Sequence, residues 1–152
     1  MRTTDLRGDT HHVQGIDFDE RHVWVTSVDK AQRKGYLQEF SVATGEPLRS
    51  VDVATGDRFH PGGISADGPS LWIPVAEYRR DSSSVIQKRS VRTLELLYEF
   101  DVADHIGCIA VAPGVLSAPT GIVATSTSGT TLGTFAARSP TRRRTPTRTS
   151  SS

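Results

Sequence analysis

The sequence predicts an all-β fold: four-stranded antiparallel sheets repeated along the chain, about two of them and the first strand of a third, then a tail of different character. Three observations carry this. A segment recurs at a nearly constant spacing, the residues between recurrences alternate with period two, and composition breaks sharply after Pro113.

The repeat is read first. His12-Val13-Gln14-Gly15-Ile16 returns as His60-Pro61-Gly62-Gly63-Ile64 and again as His105-Ile106-Gly107-Cys108-Ile109, 48 and then 45 residues later. Asp19 matches Asp67, Trp24 matches Trp72, and Val23 and Val25 match Leu71 and Ile73 at the same offset of 48. Units of this length built from strands read as propeller blades.

Each element of the first unit has a local reason. Gly15 to Phe18 is a short strand, and Asp19-Glu20-Arg21 is a turn. His22 to Ser27 is a second strand, with Val23 and Val25 on one face. Tyr36 to Val42 alternates as a third, Ala43-Thr44-Gly45-Glu46 turns the chain, and Leu48 to Val53 is a fourth. The second unit repeats the series with Leu71 to Val75, Val85 to Val91, a turn near Arg92-Thr93, and Leu96 to Val102. No stretch carries a sustained helical stripe.

The fold class that follows is a β-propeller fragment. Residues 1–11 are a lead-in and 12–113 hold the blades (12–59, 60–104 and a partial 105–113). A length of 152 residues with 36% hydrophobic content suits one globular domain, yet a closed propeller needs four or more blades to remove its free edges. The chain is therefore expected to be part of something larger. A single cysteine, Cys108, excludes an internal disulfide and is expected to be a small buried residue in place of the repeat's glycine. No apolar run is long enough for a membrane helix, and the opening Met1-Arg2-Thr3-Thr4-Asp5 lacks the apolar core of a signal peptide, so a cytoplasmic location is expected for the chain as written.

Residues 114–152 contain no Asp or Glu and carry five arginines: Arg138, Arg142, Arg143, Arg144 and Arg148. The 18 basic residues of the chain less those five leave 13 against 17 acidic ones, so an acidic body precedes a basic tail. Three readings stay open for it. It is a disordered linker that buries too little to offset chain entropy, or a basic arm built on Arg142-Arg143-Arg144, or a segment translated out of frame. The third follows from the genetic code: Thr120 to Gly133 can be encoded by bases that, read one position earlier, spell N-W-D-S-R-D-F-Y-V-W-D-H-A-G. That string supplies an alternating aromatic strand and a turn where the third blade needs its counterpart of Leu37 to Gly45.

Several strings together carry a resemblance: Gly8 to Ile16, Val23 to Asp29, Asp57 to Ile64, Trp72-Ile73-Pro74-Val75-Ala76-Glu77-Tyr78, and Asp104 to Cys108. Over roughly residues 8–113 the chain resembles an uncharacterised bacterial family of six-bladed-propeller-like proteins, of which it looks like a truncated and frameshifted member. The resemblance implies relatives roughly twice as long, often exported, with an N-W-D-S-R string after the His-Ile-Gly segment. This chain has neither that string in frame nor an export signal.

The candidate site comes from the repeat. In a propeller, innermost strands start, and second strands end, on one face beside the channel. His12, His60 and His105 are expected to begin innermost strands, and Asp29 and Glu77 follow second strands, so imidazoles and carboxylates converge at one channel mouth. These five are the candidate ligand-binding residues. Such a ring suits a divalent cation in the full-length form, or a small ligand with hydroxyl or anionic groups. Against this, a histidine opening each repeat also serves simply to fasten one blade to the next. Trp24 and Trp72 are expected to pack between sheets, and Asp19 and Asp67 to form turns. His11 and His12, one apart on a strand, should face opposite ways and make a poor chelate. Lys30, Arg33 and Lys34 match Arg79, Arg80 and Asp81 in the long connection after the second strand and offer a charged rim.

Two functions follow. One is a binding or scaffold propeller taking a small-molecule ligand at the mouth. The other is a metal-dependent hydrolase or lactonase-like enzyme, in which a carboxylate-held cation polarises a carbonyl and activates water. Neither a membrane nor a nucleic acid is expected as a partner, and the fragment alone is not expected to function. No catalytic residue is assigned, because no phosphate-cradling loop, nucleophile elbow, HExxH or zinc-cysteine spacing is present.

Overall fold

The structure is a computed structural model that describes residues 3–112, 115–119 and 123–125, the last three by backbone alone. It is all-β, with no helix among the described residues. Strands β1 (His12–Phe18), β2 (His22–Asp29), β3 (Lys34–Ser41) and β4 (Pro47–Asp52) form a first antiparallel sheet in the order β1-β2-β3-β4. The second sheet holds β5 (Arg58–Pro61), β6 (Ser65–Asp67), β7 (Ser70–Glu77), β8 (Ser84–Ser90) and β9 (Leu96–Val102). There β5 and β6 both pair with β7, so the innermost strand is broken at Gly62-Gly63-Ile64, and β8 and β9 follow. A third sheet, β10 (Ala110–Ala112), β11 (Val115–Ser117) and β12 (Val123–Thr125), runs in that order.

The third sheet goes beyond expectation. One strand of it was expected, with no structure after residue 113, yet β11 and β12 both fall after that point. At the offset of 45, Val115-Leu116-Ser117 matches Ser70-Leu71-Trp72, and Leu116 is buried as Leu71 is. The repeat therefore continues for at least one further strand in this reading frame. The rest of the expected tail, Arg142 to Arg144 included, lies outside the described residues.

Turn chemistry matches between units. Asp19 Oδ1 accepts the backbone N–H groups of Arg21 and His22 at 2.7 and 2.6 Å, fixing the first hairpin. Between the third and fourth strands, Gly45 (φ 72°) and Leu94 (φ 61°) both take the left-handed conformation and donate to the carbonyls of Ser41 and Ser90, each at 2.8 Å. Leucine is strained there by about 1–2 kcal/mol, which its complete burial offsets.

The sheets stack face to face. Trp24, Leu37 and Val53 of the first unit meet Ile64, Leu71, Ile73, Val75 and Val85 of the second in one core. On the other face of the second sheet, Trp72, Ile86 and Val102 meet Ile106, Ile109 and Leu116 of the third. Both tryptophans thus pack between sheets, as their repeat positions predicted. Trp24 also donates to Glu39 Oε1 at 3.2 Å, and Glu39, 1% exposed, is held by Arg49 Nη2 at 2.8 Å. Arg49 reaches on to the carbonyls of Val91 and Arg92, tying the first sheet to a turn of the second.

Innermost strands approach one another through glycine. A methyl group at Gly15 would lie 2.6 Å from Gly63 Cα, and one at Gly63 would lie 2.7 Å from Cys108 Cβ. These three are the same repeat position, so one packing step is applied twice. Gly63 and Cys108 form a parallel bridge, with Ile109 donating to the Gly63 carbonyl at 3.3 Å. Cys108 was expected to be buried; it is exposed. Its backbone makes the bridge, and its side chain stands where the innermost strands meet rather than in the core between sheets.

Candidate functional site

Where the first two units meet, β2 ends at Asp29 and the connection to β3 begins with Lys30, while β7 ends at Glu77 and is followed by Tyr78. These ends lie beside the starts of β1 and β5, because an antiparallel second strand returns to the side where the first began. An open groove of about 560 Å³ results, lined by Asp9, His11, His12, Val28, Asp29, Lys30 and Tyr78.

Two of the three repeated histidines fall near each other. The His60 and His105 rings are 6.0 Å apart between centroids, and His60 meets the edge of Tyr78 at 4.7 Å. Burial pushes the His60 imidazole below its ordinary pKa, and the charges of His105 and of His12 push the same way. His60 is thus within electrostatic reach of both partners. Their strand positions differ from expectation: His12 begins β1, but His60 is the third residue of β5 and His105 precedes β10. In the second and third units the histidine therefore opens the repeat without opening a strand.

Asp29 lines the groove, and its Oδ1 accepts the Gln32 N–H at 3.0 Å, leaving its other oxygen uncommitted to that turn. Glu77 is engaged differently. Its Oε2 accepts from Arg79 Nε at 2.6 Å, and its Oε1 accepts from the N–H and hydroxyl of Ser83 at 3.2 and 2.9 Å. The Arg79 guanidinium first, then the two Ser83 donors, pull its carboxyl down to about 2. Glu77 fastens its own connection, and among the described residues no group of three His, Cys, Asp or Glu is placed to hold a metal ion. His105 is likewise engaged, with Nδ1 2.9 Å from Ser82 Oγ and 3.0 Å from the Arg79 carbonyl.

Residues 27–126 match a family of unknown function, DUF6454. The chain belongs to the DUF6454 family. The DUF6454 match begins within β2 and ends just after β12, so it takes in Asp29, His60, Glu77 and His105 and reaches past Pro113, where the resemblance was expected to stop. No curated protein matches this DUF6454 chain.

Sequence reasoning missed several groove residues. Tyr78 carries Lys30 Nζ over its ring at 4.8 Å and stacks on Phe59 at 5.9 Å, tying the first unit's loop to the second's. His11 was expected to face away from His12, yet both line the groove, because His11 lies outside the strand with φ 49° and stacks on Tyr36 at 4.7 Å. Asp9 enters through the lead-in, held when its carbonyl accepts from Gln38 Nε2 at 2.9 Å. Of the charged rim, Lys30 alone lines the groove; Arg33 pairs with Asp57 at 2.7 Å and Arg79 with Glu77.

Proposed function

We propose that this DUF6454 chain is a ligand-binding propeller blade array and that its groove takes a small polar ligand. The observation that carries the reading is the composition of the groove wall: Lys30, His11 and His12 line it together with the carboxylates of Asp9 and Asp29, and Asp9 also accepts the His11 N–H at 2.7 Å. A ligand with an anionic end for Lys30 and the imidazoles, and hydroxyl groups for Asp9 and Asp29, matches that set. Tyr78 offers the cation already on its ring rather than a bare stacking face.

The propeller reading is supported by the repeated step at Gly15, Gly63 and Cys108, which keeps innermost strands together on one side of the stack. Out-of-frame translation belongs to the same proposal. It is supported by the loss of every acidic residue after Asp104 and by the aromatic strand that the alternative frame spells.

The test is a nuclear magnetic resonance titration with two probes, citrate for the anionic end and glucose for the hydroxyl end. Shifts should centre on His12, Asp29, Lys30 and Tyr78 and vanish in Lys30→Ala for citrate and Asp29→Asn for glucose. Shifts elsewhere, or none with either probe, would sink the reading.

A further inference from the structure

The step that joins the first unit to the second, and the second to the third, has a third place to act. Val13, Ile16 and Phe18 pair opposite Ser27, Val25 and Val23, so they share the sheet face turned away from the second unit. Ile16 matches Ile64 in the repeat, which the first unit covers to 7% exposure, yet Ile16 is 60% and Phe18 69% exposed. The backbone shows the same vacancy. Ala66 N–H donates to Asp17 of the unit before it and Val111 N–H to Ser65, but the matching Phe18 N–H turns back on Asp17 beside it at 2.8 Å.

The lead-in already occupies the outer part of that place. Gln87 Nε2 donates to the Val53 carbonyl of the preceding unit at 3.2 Å, and the matching Gln38 donates to the Asp9 carbonyl at 2.9 Å. Arg49 grips the turn of the next unit through the Val91 and Arg92 carbonyls. Arg7 grips the matching turn of the first, donating its N–H to the Gly45 carbonyl at 2.8 Å and its guanidinium to Glu46 at 2.6 Å. Residues 7–9 thus make the contacts of a preceding unit's outer strand, while its inner strands have no counterpart on this face among the described residues.

We infer that a second copy of this chain docks its third sheet on the Ile16 and Phe18 face, head to tail. The far face of that sheet, opposite buried Leu116 and half-buried Val111, presents Ala110 and Ala112, both exposed and uncharged. Small side chains there accept the bulky pair, and the contact is heterologous like the two within the chain, though without their side-chain acceptor, because Ala110 stands at the repeat position of Asp17 and Ser65. Residues 7–9 then flank the incoming sheet as its outer neighbour.

Light scattering over a rising concentration series of the 152-residue chain tests this. The mass should at least double across the series, and hydrogen exchange of residues 12–18 should slow with it. Phe18→Glu should hold the mass at the monomer value with the strand circular dichroism intact, because Phe18 is exposed and its change leaves the core alone. Leu97→Glu, on the exposed outer strand β9, should associate as the parent does. A chain that stays monomeric throughout overturns the inference. So does association that survives Phe18→Glu or that Leu97→Glu abolishes, which would mean edge pairing or another occupant.

Discussion

Asp17 and Ser65, 48 residues apart, do the same work: Asp17 Oδ2 accepts the Ala66 N–H at 2.6 Å, and Ser65 Oγ accepts the Val111 N–H at 3.3 Å. Each links the innermost strand of one unit to that of the next. Asp17→Ala leaves a part-buried donor without its acceptor and should cost about 1–2 kcal/mol in urea unfolding. Asp17→Asn retains an oxygen and should recover most of it.

Glu39 is almost fully enclosed, and its partners are Arg49 and the Trp24 indole. Glu39→Leu strands the Arg49 guanidinium, and because the Arg49 side chain is 36% exposed the cost should be about 2 kcal/mol rather than the roughly 3–5 of a fully buried pair. Denaturant midpoints of Glu39→Leu and of the double variant with Arg49→Leu measure it; the double variant should be the more stable of the two.

Two glycines should fail for different reasons. A methyl at Gly62 collides with the Gly107 carbonyl of the next unit, so Gly62→Ala should cost about 1–3 kcal/mol and loosen the third sheet in hydrogen exchange. Gly56 has open space around it but φ 60°, so Gly56→Ala should cost only the left-handed strain of about 1 kcal/mol and leave exchange elsewhere unchanged.

Stability should fall with acid in two windows. His60 has a folded pKa depressed below 6.5, chiefly by burial, so the unfolded chain binds its proton first; its contribution is complete above 6.5 and declines as pH drops below that value. Glu77 is also depressed, from 4.5 to about 2, so its contribution is present above 4.5 and disappears as pH falls through about 2. His60→Gln should flatten the first window and Glu77→Gln the second, read as unfolding midpoints against pH.

The repeat made much of this legible. Matching Trp24 to Trp72 located the sheet interfaces, since residues at one repeat position meet the same neighbour step after step, as Gly15 and Gly63 also do in the structure. What the repeat does not contain was missed. Glu39 has Lys88 at the matching pairing position, so its lock with Arg49 belongs to the first interface alone; Lys88 lies over Trp72 instead, at 5.3 Å. Glu77 stood out as a ligand because it ends an apolar strand, but Arg79 and Ser83, two and six residues on, take its oxygens through a loop shape that sequence spacing does not display. The lead-in carries no strand pattern, yet Arg7 and Asp9 reach the first sheet through backbone groups, which every residue has.

Stacking the units brings His60 within electrostatic reach of His12 and His105. Imidazole titration by nuclear magnetic resonance in the parent, His12→Gln and His105→Gln tests it most directly. Removing either partner should raise the His60 pKa toward its ordinary value, with the larger rise for His105→Gln, whose charge acts more strongly on it. A His60 titration that neither substitution moves would contradict the account.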